Sequence, residues 1–151
     1  MTGYEFDYDY LKTKTDDELV KIIKEMADYE EVSEAYLILD EHNQELAFQL
    51  GKDIYTNNRG DDYLQATIWD VMYLADSKKS IETLAERDEK LEKALFEDIV
   101  NSLTFFDDEI GESEINLLKE SYYSFTDDIQ NQYKIKFNEL LDRAKNNKNQ
   151  I

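Results

Sequence analysis

The side chains with which this chain could do chemistry are acids and tyrosines, and little else. His42 is the only histidine and there is no cysteine. A Ser-His-Asp arrangement would have to use His42, a two-histidine zinc site cannot be made, and no thiolate, disulfide or Cys-ligated metal is available. His42 sits in a polar break between Glu41 and Asn43, where it reads as a surface loop residue. Acids cluster at Asp16, Asp17 and Glu18, at Glu30, Glu31 and Glu34, and at Asp107, Asp108 and Glu109. The first cluster falls where a helix N-terminus favours negative charge. The third precedes Gly111, yet placing that glycine sixth in an EF-hand loop puts Phe106 where the first ligand belongs. All three read as solvated acids rather than hard-cation sites. The glycine-rich phosphate loops and the G-x-S-x-G elbow are missing. The expectation is a protein that is not an enzyme and takes no metal or cofactor.

One constellation remains. When the stretch from Asp61 to Ala75, DDYLQATIWDVMYLA, is wound at about 100° per residue, Asp62, Tyr63, Ala66, Asp70 and Tyr73 share a narrow arc. Two carboxylates and two amphipathic rings on one stripe suit the Lys and Arg side chains of a partner. The same stripe is also what the half-exposed edge of a core looks like. Asp107, Asp108 and Glu109 make a second candidate patch, on a loop, where partner contacts are common. The expected partner-binding residues are therefore Asp62, Tyr63, Asp70, Tyr73, Asp107, Asp108 and Glu109.

The elements that position them follow from periodicity. Leu64, Ile68, Val71, Met72 and Ala75 share the other, wider arc of the same helix, with Trp69 on its flank. A helix apolar on two sides must be packed on two sides, so helices before and after it in sequence should sandwich it. Leu50, Ile54, Leu95 and Ile99 join Leu64, Ile68, Trp69, Val71 and Met72 as the expected core. Upstream, Tyr4, Phe6, Tyr8 and Tyr10 alternate with polar residues at the strand period, which suggests an extended arm over residues 1–14. Thr15 and Glu18 form a capping box ahead of the stripe Leu19, Ile22, Ile23 and Met26. A helix over 31–40 and another over 44–55 follow, closed by the turn signal TNNRG at residues 56–60. Downstream, Asp76 and Ser77 open a short helix. A helix spans 87–103, another restarts after Gly111, and a last one begins at Thr126, with a polar, frayed tail over 145–151. The count is seven or eight helices joined by short loops, which makes an all-α antiparallel stack in one domain of 151 residues.

Composition agrees. The chain has no proline and 4 glycines, so little interrupts its helices, and its 41% hydrophobic content is that of a folding chain. The 11 tyrosines suit wet core edges and interfaces. The net charge of -19 repels nucleic acids and anionic membranes and steers cationic partners inward; plain solubility is the competing explanation. No basic and apolar leader opens the chain and no apolar run is long enough to span a bilayer. A cytoplasmic protein that is monomeric when free, binding neither nucleic acid nor membrane, is expected.

At residues 60–66, GDDYLQA, followed one helical face later by VMYL at 71–74, the chain resembles the helical pairs of HEAT-like repeat proteins. More narrowly it resembles the small acidic HEAT-like immunity proteins that bacteria encode beside polymorphic or contact-dependent toxins. The likeness covers about residues 31–103. It departs from the HEAT pattern in lacking the proline of the first helix of a pair and the Asp and Arg of the second. It implies an HEAT/ARM-like stack of helical hairpins and an immunity protein that neutralises a cognate cationic toxin, a nuclease with a basic groove, by occluding that groove. Two alternatives share the acidity: a nucleic-acid mimic that titrates a DNA-binding regulator, and an enzyme using a carboxylate-bound magnesium ion.

Overall fold

Capping side chains mark where the helices start. Thr15 accepts from the Glu18 amide while Glu18 reaches back to the Thr15 amide, the reciprocal box that opens α1 (Asp16–Glu25). Asp28 opens α2 (Tyr29–His42) and Asn43 opens α3 (Gln44–Thr56), each with its side-chain oxygen on an early amide. Asp61 and Asp76 do the same for α4 (Asp62–Ala75) and α5 (Ser77–Thr83). Beyond a 3-10 turn at Leu84–Glu86 come α6 (Lys93–Phe106), α7 (Glu112–Ser124) and α8 (Asp127–Lys148). The computed structural model describes residues 8–106 and 108–148. Among them the chain is all-α, eight helices packed as a compact stack, with no strand. No helix among them is long and apolar enough to cross a membrane.

Contacts between helices fix their directions. Asp62 at the start of α4 accepts from the amides of Ala94 and Leu95 at the start of α6, while further along Tyr73 packs at a tilt against Phe106. The two helices therefore run the same way. The same holds for α6 and α8, where Tyr133 meets Glu97, Lys136 meets Asn101 and Arg143 meets the Thr104 carbonyl. Met26 before α2 lies beside Gly60 before α4, and Tyr36 and Met72 converge on Gly51, so α2 and α4 are parallel too. The even-numbered helices form one parallel row. The odd-numbered ones return between them through short connections: Asn43 alone ends α2 and starts α3.

Helix α4 divides the interior as its two apolar arcs require. Leu64, Ile68 and Met72 pack into a cluster with Leu19, Ile23, Tyr36, Leu39, Leu50 and Ile54 from α1, α2 and α3. Trp69 and Tyr73 pack into a second cluster with Leu95, Phe96, Ile99, Leu103, Leu118 and Phe137 from α6, α7 and α8. Of the expected core residues, Val71 alone is half-buried, resting on the first cluster. Gly51 lets α3 approach closely, since a Cβ there would lie 2.3 Å from the Tyr36 hydroxyl.

Several boundaries differ from the sequence reading. Helix α1 stops at Glu25, with Met26 in the left-handed C-cap position; α2 runs on to His42, which therefore ends a helix instead of sitting in a loop; and α6 continues past residue 103 to Phe106. The expected extended arm is, over Asp9–Thr13, a 3-10 turn that plugs Leu11 into the first cluster while Tyr8 and Tyr10 donate to Glu30 and Glu31 of α2; Tyr4 and Phe6 lie outside the described residues. Helix α2 starts two residues earlier than expected, at its Asp28 cap. The helix expected from Arg87 starts at Lys93, because Arg87 is drawn inward out of the helical path. The tail expected to fray from Lys145 stays helical to Lys148.

Arg87 is 5% exposed and forms no ion pair among the described residues. Its guanidinium donates to the carbonyls of Tyr55, Glu89 and Lys90 and to the side-chain oxygens of Gln65 and Asn58, and it lies over the Tyr55 ring at 4.9 Å. It thus ties the turn after α3 to α4 and to the approach of α6. That turn uses Asn58 and Gly60 in the left-handed region, at φ 51 and φ 74.

Candidate protein-binding face

The stripe singled out on α4 splits lengthwise. At about 100° per residue Tyr73 falls near Asp62 and Ala66, and that edge turns toward α6; Asp70 falls beside Tyr63, and that edge meets solvent. Accordingly Tyr73 is 3% exposed and Tyr63 is 76% exposed. Asp62 is committed to the fold: its two oxygens take the amides of Ala94 at 2.6 Å and Leu95 at 2.8 Å, capping α6 from a neighbouring helix. The four residues do not stand together on one free surface.

Tyr73 instead joins the two candidate patches. Its hydroxyl donates to the Asp108 carboxylate. Burial first, and then the bond to Asp108 and its charge, push the phenol up from its ordinary value. The loop is held from the far side by Arg143 of α8, whose guanidinium donates to the carbonyls of Leu103, Thr104 and Asp108. Asp108 is half-buried and Glu109 is exposed. Asp107 lies outside the described residues.

Asp70 finds a partner that periodicity did not suggest. Asp98 projects from α6 to within interaction distance of it, acid beside acid, across the parallel pair. Burial where the helices close is the largest cause, followed by the Asp70 charge and hydrogen bonding to it, then Glu97 and Asp62; together they push Asp98 up to about 7. Burial likewise raises Asp70, while hydrogen bonding to Asp98 opposes it. No Lys or Arg pairs with either acid among the described residues, and the neighbouring Glu97 accepts from Tyr133 of α8 at 2.9 Å. Sequence placed Asp98 only as a polar residue between inward-facing Leu95 and Ile99. Its meeting with Asp70 carries no local signal.

Four further residues of this face went unmarked: Leu74, 75% exposed, at the end of the α4 edge; Phe105 and Phe106 at the end of α6; and Asn101, which accepts from Lys136 at 2.7 Å. Leu74 could have been found as an apolar residue outside both buried arcs of its helix. No group of three or more His, Asp or Glu among the described residues could hold a metal ion. His42 bonds Asp16 at 3.3 Å across α1 and α2, a fold contact. Compared with protein-family models, with curated proteins and with solved structures, the chain matches none.

Proposed function

We propose that this protein is a binding protein without turnover, which neutralises a cationic protein by covering its basic surface, as the immunity proteins it resembles cover a toxin nuclease. One observation carries the reading: Asp70 and Asp98 face each other on the open side of the even-numbered row with no cation assigned to them, in a chain of net charge -19. A like-charge pair is unfavourable, and Lys or Arg from a partner would relieve it. The row of parallel helices supports the HEAT-like part of the resemblance, since stacked hairpins present such a row as one broad surface. The partner we infer is a toxin domain made by the neighbouring gene.

Co-expression tests this. The neighbouring gene product should be toxic alone and harmless with this chain. The purified complex should associate at a rate that falls steeply with salt. Asp70→Lys in a folded variant should weaken the complex by several kcal/mol, because like charge facing a basic groove is repelled. A neighbouring product that forms no complex would remove the immunity reading. A salt-sensitive complex with a DNA-binding regulator instead would favour the mimic.

A further inference from the structure

Nine large apolar side chains are exposed among the described residues, and six of them, Tyr10, Tyr29, Leu37, Tyr63, Tyr123 and Ile135, are spread over the N-terminal segment, α2, the start of α4, α7 and α8. Scattered singly, they need no explanation. The other three gather at one corner, where α4 and α6 end side by side: Leu74 at 75%, Phe105 at 81% and Phe106 at 50% exposed. Phe106 is the shared wall of two hollows. One, about 480 Å³, is bounded by Tyr73, Leu74, Asp76 and Asp108. The other, about 440 Å³, is bounded by Asn101, Ser102, Thr104, Phe105 and Lys136. The Phe106 ring lies between Tyr73 at 5.3 Å and Phe105 at 4.9 Å and forms the partition between the hollows.

The surroundings select the occupant. Carboxylates flank the corner: Asp76 and Asp108 line the first hollow, and Asp70 and Asp98 lie about one and two turns back along the two helices. Two of the nearby cations are engaged: Lys136 donates to Asn101, and Arg143 to three main-chain carbonyls of the loop. A second copy of this acidic chain would bring acid onto acid.

Resting on the reading above, we propose that this corner is the anchor of the interface and that it receives a basic amphipathic segment of the partner, with an apolar side chain in each hollow on either side of Phe106 and Lys or Arg over the flanking carboxylates. The apolar anchors hold the complex and the charges set its approach, the division found at well-packed interfaces.

Two synthetic peptides of equal length and charge test this by titration calorimetry. One places Leu and Lys at amphipathic helical spacing; the other replaces each Leu by Ser. With the wild-type chain the Leu/Lys peptide should bind at least tenfold more tightly, and the margin should persist in 0.5 M salt. It should vanish in the Leu74→Ser, Phe105→Ser variant, whose replaced side chains are exposed, so that circular dichroism should show an unchanged fold. It should survive in Tyr123→Ser, which removes an exposed ring elsewhere. A margin retained by the double variant, or equal binding of both peptides by the wild type, overturns the anchor while leaving a charge-only interface standing. If neither peptide binds in a salt-dependent way, the cationic-partner reading falls with it.

Discussion

Two polar sites on α4 treat charge in opposite ways. Near its start Gln65 helps receive Arg87, a cation 5% exposed that forms no ion pair among the described residues and is held entirely by neutral oxygens. Further along, Asp70 meets Asp98 at the surface, and neither carboxyl is given a cation. With 36 acids against 17 Lys and Arg, acids for Arg87 were plentiful. Among the described residues the fold met its one deeply buried cation with carbonyls and amides and left paired acids outside. Interior polarity here serves packing, whereas the Asp70 and Asp98 pair of the open face is not consumed by it, and that contrast is what makes a cationic partner the natural reading of the surface.

The largest effects are expected at buried sites. Arg87→Met keeps the apolar stem but strips five acceptors of their donor, and the loss in urea unfolding should be about 3 kcal/mol. A loss under about 1 kcal/mol would mean that the turn after α3 and the approach to α6 stand without the clamp.

An apolar baseline comes from Ile68, 1% exposed in the first cluster. Ile68→Ala should cost about 2 to 5 kcal/mol, and a smaller cost than that of Arg87→Met would rank the polar clamp above the core packing beside it.

Asp62 stands between the two kinds of site, an acid that the fold does consume. Asp62→Ala should destabilise by about 1 to 2 kcal/mol, the scale of a lost cap, and leave partner association little changed. A variant of wild-type stability with impaired binding would return Asp62 to the interface.

The smallest effect is at the acid pair and depends on pH. Asp98 has its value raised in the folded state, so its contribution to stability is fully present below the unfolded value of about 3.9 and is lost as pH rises through about 7. Asp98→Asn keeps a polar side chain beside Asp70 and removes the second charge. It should therefore be more stable than the wild type at pH 8, by about 0.5 kcal/mol, the scale of a like-charge pair on helices, and indistinguishable from it at pH 4. Equal stability at both values would show that the folded state does not raise Asp98.

Much of this fold was legible in one dimension because its causes are local. The capping box at Thr15, the cap at Asp76, the left-handed turn at Asn58 and Gly60 and the two arcs of α4 are properties of short windows, read from side-chain chemistry and the helical period. Helix ends were read less well where a residue was pulled out of its helix by distant partners, as Arg87 was by Asn58 and Gln65.

The candidate site was legible in composition and not in arrangement. An arc of a helix tells which residues share a side; which edge of that arc a neighbour covers depends on the neighbour. Docking of α6 along one edge of α4 buried Tyr73, took Asp62 as a cap and left Tyr63 and Asp70 outside. The direction of α6 is equally a tertiary outcome. Because α5 carries the chain back, α4 and α6 run parallel, and so Asp98 reaches Asp70 while Leu74, Phe105 and Phe106 end at the same corner. Local chemistry determined that this chain is a stack of amphipathic helices with an acidic exterior. Contacts between residues some thirty positions apart, which no periodicity encodes, decided which of its acids and rings face outward together.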